Sequence, residues 1–276
     1  MFRSPLSIAL LAIVGCLCAF PAVSAAKGKP GGGGGGGGGS PTGYDISYPQ
    51  CGGAFPSSVL FGIVGANAGI VYSPNPCLGT GDGASELAWA EQYDGQGGAI
   101  LYANTADPGP TLSTHWPSGQ TSPQYCDPAQ PDSPACSYDY GWNAAADSYQ
   151  NAVSAYIQLG ELQPGATQTP LPNAWWLDVE TANSWETSTP NNIADLQGAV
   201  AYLQSQGVSS VGFYASSGDW QTITGSTGLF SSFPSWQLGS RRLATAQSYC
   251  GTTGVTGGPV ALSQYSSGGF DADVRC

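Results

Sequence analysis

Beyond residue 43 the chain contains no lysine, and its only cations there are Arg241, Arg242 and Arg275. All 18 acidic residues lie in that same stretch, which therefore carries a formal charge of −15. Such a body repels a phosphate backbone and an anionic lipid surface, so nucleic acid is excluded as a partner. Histidine is nearly absent, with His115 alone. One imidazole and no CxxC spacing leave no zinc-type ligand set, and no metal is expected. No GxSxG supports a serine nucleophile, and His115, in a Pro-rich stretch and read as a surface residue, is the only candidate base. No GxGxxG or GxxxxGK[ST] opens a helix, so no nucleotide or other cofactor is expected. Yet 41% of the 276 residues are hydrophobic and 11% aromatic, enough for a sizeable core and incompatible with disorder of the whole chain.

No run after the N-terminal one is long and apolar enough to cross a bilayer. Arg3 precedes the run from Leu6 to Phe20, Pro21 closes it, and Val23-Ser24-Ala25 offers small residues for cleavage. Residues 1–25 are thus expected to be a secretory signal peptide, the run being too short for a membrane span. A lipoprotein anchor at Cys16 is the competing reading. The residues after Cys16 stay apolar, where an anchored chain should turn polar quickly, so simple export is favoured, with cell-wall association left open. Residues 26–43 include nine consecutive glycines, Gly31 to Gly39, and should behave as a flexible linker. The folded domain is expected over 44–276, as a monomer. Cys16 and Cys18 leave with the signal. Six cysteines remain, which allow 15 pairings in an oxidising compartment. Proximity in sequence suggests Cys51–Cys77, Cys126–Cys136 and Cys250–Cys276.

From Tyr44 onward short apolar runs alternate with amphipathic stretches. Strands are expected at Tyr44–Tyr48, Val59–Gly65, Ala99–Asn104, Ala174–Glu180, Val211–Ala215, Ser235–Leu238, Val260–Tyr265 and Phe270–Arg275. Helices are expected at Ala84–Tyr93, Gly141–Leu159, from the Thr189 cap and Pro190 to Gly207, and near Asp219–Ile223. Thr105 to Tyr140 reads as a long loop, stapled by Cys126 and Cys136. Glycines near Gly65, Gly97 and Gly268 read as turns. Eight strands alternating with helices predict an α/β fold, a single (β/α)8-like TIM-type barrel with some helices reduced or missing near the C-terminus. A doubly wound open sheet is the competing topology.

On the strand ending at Glu180, Trp176, Asp178 and Glu180 share one face, and Trp175, Leu177 and Val179 the other. The apolar set should pack under helices. The first set then places two carboxylates at the C-terminal end of a barrel strand, where barrel active sites lie. Crowded acids raise each other's pKa and keep a proton available, as glycosidic bond cleavage requires. Two solvated acids opening a loop are the plainer alternative. Asp45, Asp271 and Asp273 also sit at strand ends; lone acids there are more often turn residues, and they would join the pair only if the barrel closes. Trp176, Trp185 and Tyr214 are candidates to stack on sugar rings.

The order of these segments resembles glycoside hydrolase family 25, the Chalaropsis-type lysozymes, in a divergent secreted branch. Tyr44-Asp45-Ile46-Ser47 with Gln50 is similar to the family's opening strand, and Trp176-Leu177-Asp178-Val179-Glu180 to its central D-x-E strand. Val211 to Ser216 resembles its Gly-x-Tyr-x-Ser strand, and Gln264-Tyr265-Ser266 and Phe270-Asp271 its closing segments. The resemblance implies a muramidase-like barrel that cleaves β-1,4 bonds of peptidoglycan or a related N-acetylated polysaccharide. It makes Glu180 the general acid and Asp178 the group that stabilises anomeric charge or orients the acetamido group. Asp45 and Asp271 complete the acidic floor, and Gln264 contacts substrate. The chain departs from the pattern after its second strand, at Gly65-Ala66-Asn67-Ala68-Gly69, and in its third, at Tyr102-Ala103-Asn104. A noncatalytic glycan-binding or wall-associated barrel is the main alternative. A chitinase-like enzyme is a further one, although the fuller Asp-x-x-Asp-x-Asp-x-Glu signature is absent.

Overall fold

The computed structural model describes residues 42–80, 84–93, 99–165, 171 and 173–276. The expected signal peptide, the Cys16 anchor, most of the Gly-rich linker and Gly97 lie outside the described residues. Eight strands form a closed barrel in sequence order: β1 (Gly43–Ile46), β2 (Gly62–Gly65), β3 (Ile100–Asn104), β4 (Trp175–Asp178), β5 (Val211–Ala215), β6 (Ser235–Ser240), β7 (Val260–Ser267) and β8 (Phe270–Arg275). Neighbours from β1 to β7 are parallel. β8 runs antiparallel to both β7 and β1, and its pairing closes the ring.

The parallel strands β2, β4 and β5 are buried throughout. That is why they read as nearly continuous apolar runs: helices cover one face and the barrel interior the other. Trp175, Leu177 and Val179 pack outward in the large cluster beneath the helices. Trp176, Tyr214 and Trp236 point inward with Phe61, Ile63, Ile100 and Leu262. Gly212 on β5 makes room for the Trp176 indole, because a Cβ there would enter the ring.

Among the described residues, five helices connect the strands: α1 (Glu86–Glu91), α2 (Pro134–Gln158), α3 (Thr189–Ser205), α4 (Ser217–Thr224) and α5 (Leu243–Tyr249). Helix reduction is not confined to the C-terminal half. Among the described residues, β1 and β2 are joined through only a 3-10 turn, Tyr48–Gln50, and β7 and β8 by a hairpin. Gly268 and Gly269 form that hairpin turn at positive φ, whereas Gly65 is the last residue of β2 and not a turn.

The long excursion after β3 ends earlier than its composition indicates, because α2 begins at Pro134, with Ser133 capping the Cys136 amide. The first turns of α2 bury Cys136, Ser137 and Asp139, so no apolar period marks them. In α3 the cap is Ser188 and Thr189 is already helical. α5 escapes the sequence pattern because it buries only Ala246. All three cysteine pairs form as sequence proximity suggests. They fasten the β1–β2 connection to the loop after β2, the excursion to α2, and the end of α5 to the end of β8.

α2 and α3 approach through two facing glycines. A methyl at Gly198 would strike the carbonyl oxygen of Tyr138, and one at Gly141 the carbonyl oxygen of Asp195. Gly198→Ala is therefore expected to destabilise the fold by about 1–3 kcal/mol through overpacking. Alanine's better helix propensity, worth ~1 kcal/mol, works in the opposite direction. Denaturant unfolding checks this, and an unchanged or higher midpoint would mean the two helices part without cost.

Candidate active site

Barrel closure determines where the acids meet. β1 and β4 run toward the mouth and present Asp45 and Asp178 near their C-terminal ends. Because β8 is antiparallel, its beginning lies at that mouth: Asp271 pairs with Asp45, and Asp273 sits one layer deeper, opposite Gly43. Glu180 follows β4 directly. Asp45, Asp178, Glu180 and Asp271 line one open cleft of about 150 Å³, together with Tyr102, Tyr214, Trp236 and Gln264. Among the described residues, no basic side chain lines it. A second void, between α2, α3 and the barrel wall beside Asp195, is only about 10 Å³. That is room for about one water and not for a sugar.

A polar chain crosses the cleft floor. The Tyr214 hydroxyl donates to Gln264 Oε1 at 3.0 Å, and Gln264 Nε2 donates to Asp45 Oδ2 at 3.0 Å. Beneath it, Trp236 Nε1 donates to Asp273 Oδ1 at 2.8 Å. Asp273 is 0% exposed and its carboxyl neighbours that of Asp45. Asp178 is 6% exposed, and its Oδ1 has no hydrogen-bond partner.

Burial without a compensating cation raises these carboxyls, since the charged form loses its solvation. Burial, followed by the charge of Asp271, pushes Asp45 up to about 7. Asp178 is held well above the carboxylate range by burial and then by Glu180, Asp45 and Asp219. Asp273 is raised likewise, by burial and then Asp45. Glu180, half-buried, is raised by burial and then by Asp219 and Asp271. The cleft therefore retains protons near neutrality that ordinary carboxylates would have lost.

Sequence reasoning placed four acids, Tyr214 and Gln264 at the site, and the structure brings them to this one cleft. It places the two tryptophans elsewhere. Trp176 is 4% exposed and packs edge-on against Trp236 inside the barrel, beneath the cleft and not on its surface. Trp185 does not line the cleft; its indole Nε1 donates to the Glu180 carbonyl at 2.8 Å and so braces the backbone. Tyr102, Trp236 and Asp219 were missed. Tyr102 and Trp236 are inward residues of ordinary strands, and inward alternation around a closed barrel is the signal that would have found them. Asp273 was noticed only as a strand-end acid. His115 is exposed on the excursion, where its ring stacks on Tyr72 at 4.1 Å between centroids. Among the described residues, no group of three His, Cys, Asp or Glu side chains is arranged to hold a metal.

The described residues form a GH25-like domain in fold: the closed barrel is similar to solved lysozyme and muramidase structures. The family GH25 lysozyme of Aspergillus fumigatus superimposes with a TM-score of 0.52 at 16% identity, covering 85% of this chain and 93% of that one. The muramidase of Trichobolus zukalii does so with a TM-score of 0.50 at 16% identity, covering 86% and 94%. A family model described as Lysozyme-like protein 1 matches residues 145–241. A Dictyostelium discoideum protein described as "Probable GH family 25 lysozyme 3" is 32% identical over 110 residues, 34% of this chain. The match spans 23% of that relative's length.

Carboxyls raised in the folded state bind protons more tightly there than in the unfolded chain. Their contribution is full below the unfolded carboxylate value of about 4 and is lost as pH rises through the folded value. For Asp45, Glu86 and Asp107 that folded value is about 7. Thermal stability is thus expected to fall as pH rises from about 4 to above about 7. Asp273→Asn keeps an acceptor for Trp236 and offers Asp45 an amide donor without an ionisable proton. It should raise the melting temperature at about pH 7.5 by roughly 2–4 °C, the change that ~1 kcal/mol gives a chain of this size, and flatten the fall. Scanning calorimetry across pH tests both; an unchanged slope would show that Asp273 carries no such penalty.

Proposed function

We propose that this chain is a secreted glycoside hydrolase that cleaves β-1,4 bonds of peptidoglycan or a related N-acetylated polysaccharide. The observation that carries the reading is the convergence of Asp45, Asp178, Glu180 and Asp271 on one open cleft that, among the described residues, no cation lines. Glu180 is the proton donor: it stands at the mouth, half-buried, and burial with two neighbouring acids raises its affinity for a proton. It delivers that proton to the glycosidic oxygen as the bond to the anomeric carbon breaks. Asp178, deeper and without a partner on Oδ1, stabilises the positive charge that develops there or orients the acetamido group. Asp45 is held by Gln264, and Asp271 stands at the rim; together they complete the acidic wall. Tyr214, bonded to Gln264, is available beside the sugar, whereas Trp176 and Trp185 act from behind the surface. No cofactor enters this chemistry.

Export is part of the proposal. Three disulfides and a signal-like N-terminus suit an oxidising compartment. Among the described residues no helix is long and apolar enough to cross a membrane.

Glu180→Gln preserves shape and removes the transferable proton. It is expected to reduce reducing-end release from peptidoglycan by about 10²–10⁴-fold without lowering the thermal midpoint. Unimpaired turnover in this variant would remove Glu180 from the role. Retention of the wild-type protein on peptidoglycan or chitin with no new reducing ends would instead support the glycan-binding alternative.

A further inference from the structure

We propose that Asp219 is a positioning residue for Glu180: its carboxylate ties down the chain immediately after Glu180 and sets a fixed negative charge beside the acid. The inference rests on the reading of Glu180 as proton donor and adds to it the device that keeps the donor ready.

Asp219 lies in the first turn of α4, on the connection that leaves β5, the strand beside β4. Its Oδ1 accepts from the Thr181 amide at 3.1 Å and from the Thr181 hydroxyl at 2.5 Å. Its Oδ2 accepts from the Ser216 hydroxyl, while the Ser216 oxygen accepts from the Asp219 amide at 3.0 Å and so caps α4. A helix cap needs only Ser216. The two bonds to Thr181 reach from α4 across to the segment that carries Glu180, where capping requires nothing. On the other side, the Glu180 carbonyl accepts from Trp185 Nε1 at 2.8 Å and from the Asn183 amide at 3.1 Å. The backbone at 180–181 is therefore held from both directions.

The same bonds determine the charge. Three donors converge on the Asp219 carboxyl, a pattern suited to the ionised form. Burial pushes Asp219 up, but the bonds from Ser216 and Thr181 outweigh it and leave the group below its ordinary value. Glu180 faces Asp178 from β4, Asp271 from β8, the Tyr214 phenol from β5 and Asp219 from α4. Of the carboxyls in that set, Asp178 and Asp271 are raised and only Asp219 is lowered. Its three donors favour the anion, and an anion beside Glu180 opposes loss of the Glu180 proton.

The test uses the whole protein with 13C-labelled glutamate, the Glu180 signal being assigned by its absence in Glu180→Gln. In Asp219→Asn the Glu180 titration midpoint should fall by about one pH unit. The upper limb of the pH–turnover profile should move down with it, and kcat at neutral pH should drop about tenfold while KM barely moves. Asp219→Glu, which restores the charge, should bring the limb back toward wild type. An unshifted Glu180 midpoint in Asp219→Asn, or an Asp219→Glu variant that behaves like it, overturns the assignment. Wild-type protein that releases no sugar from any glycan would sink the hydrolase reading instead, and the carboxyl titration would still decide whether Asp219 governs Glu180.

Discussion

The antiparallel pairing of β8 with β1 closes the barrel, and the acidic mouth depends on that pairing. An open sheet would leave Asp45 on one edge and Asp271 and Asp273 on the other, each solvated and each an ordinary strand-end acid. Closure puts Asp271 opposite Asp45, in one cleft with Asp178 and Glu180, and Asp273 one layer below. The direction of β8 matters as much as its position. It delivers its first residues to the mouth and carries Arg275 to the far end of the barrel, over the Phe61 ring at 4.4 Å.

Two kinds of carboxyl follow from this arrangement. Asp45, Asp178 and Asp273 are surrounded by aromatic rings and one another, so they hold protons because ionising them in that setting is unfavourable. Asp219, at the edge of the site, is supplied with hydroxyl and amide donors and stays ionised. Environments that push neighbouring acids apart in this way separate proton donors from charge carriers. A cluster of raised carboxyls weakens the fold at neutral pH. The large helix-side core and three disulfides stabilise the rest of the molecule against that cost.

The strand ends that depart from the family pattern are turned to structural use. Asn67 is fully buried, accepts from the Asn104 amide at 3.0 Å and donates to the Asn104 carbonyl at 3.1 Å. The ends of β2 and β3 are thus locked to each other. The excursion after β3 is ordered by its own contacts: Trp116 Nε1 donates to the Pro131 carbonyl at 2.8 Å, and the Gln124 amide to Asp139 Oδ1 at 2.8 Å. The segment that reads as a long loop is an ordered connection leading into the longest helix of the described residues.

Much of this protein was legible in its residues. Alternation along the WWLDVE segment assigned Trp175 and Leu177 to the helices and Asp178 and Glu180 to the interior, because a strand's side chains must alternate and apolar ones must find cover. Local cysteine spacing matched the pairing, since short connections keep those residues near each other. What no local pattern could contain is which distant residues share a space. That Trp176 and Trp185 lie behind the cleft surface, that Asp273 stands beneath Asp45, and that Asp219 reaches Thr181 all depend on strand register, on the direction of β8 and on the placement of α4. Sequence periodicity reports which face of its own element a side chain occupies. Only the closed barrel determines what that face meets, because those partners are brought together by folding across as many as 230 positions of chain.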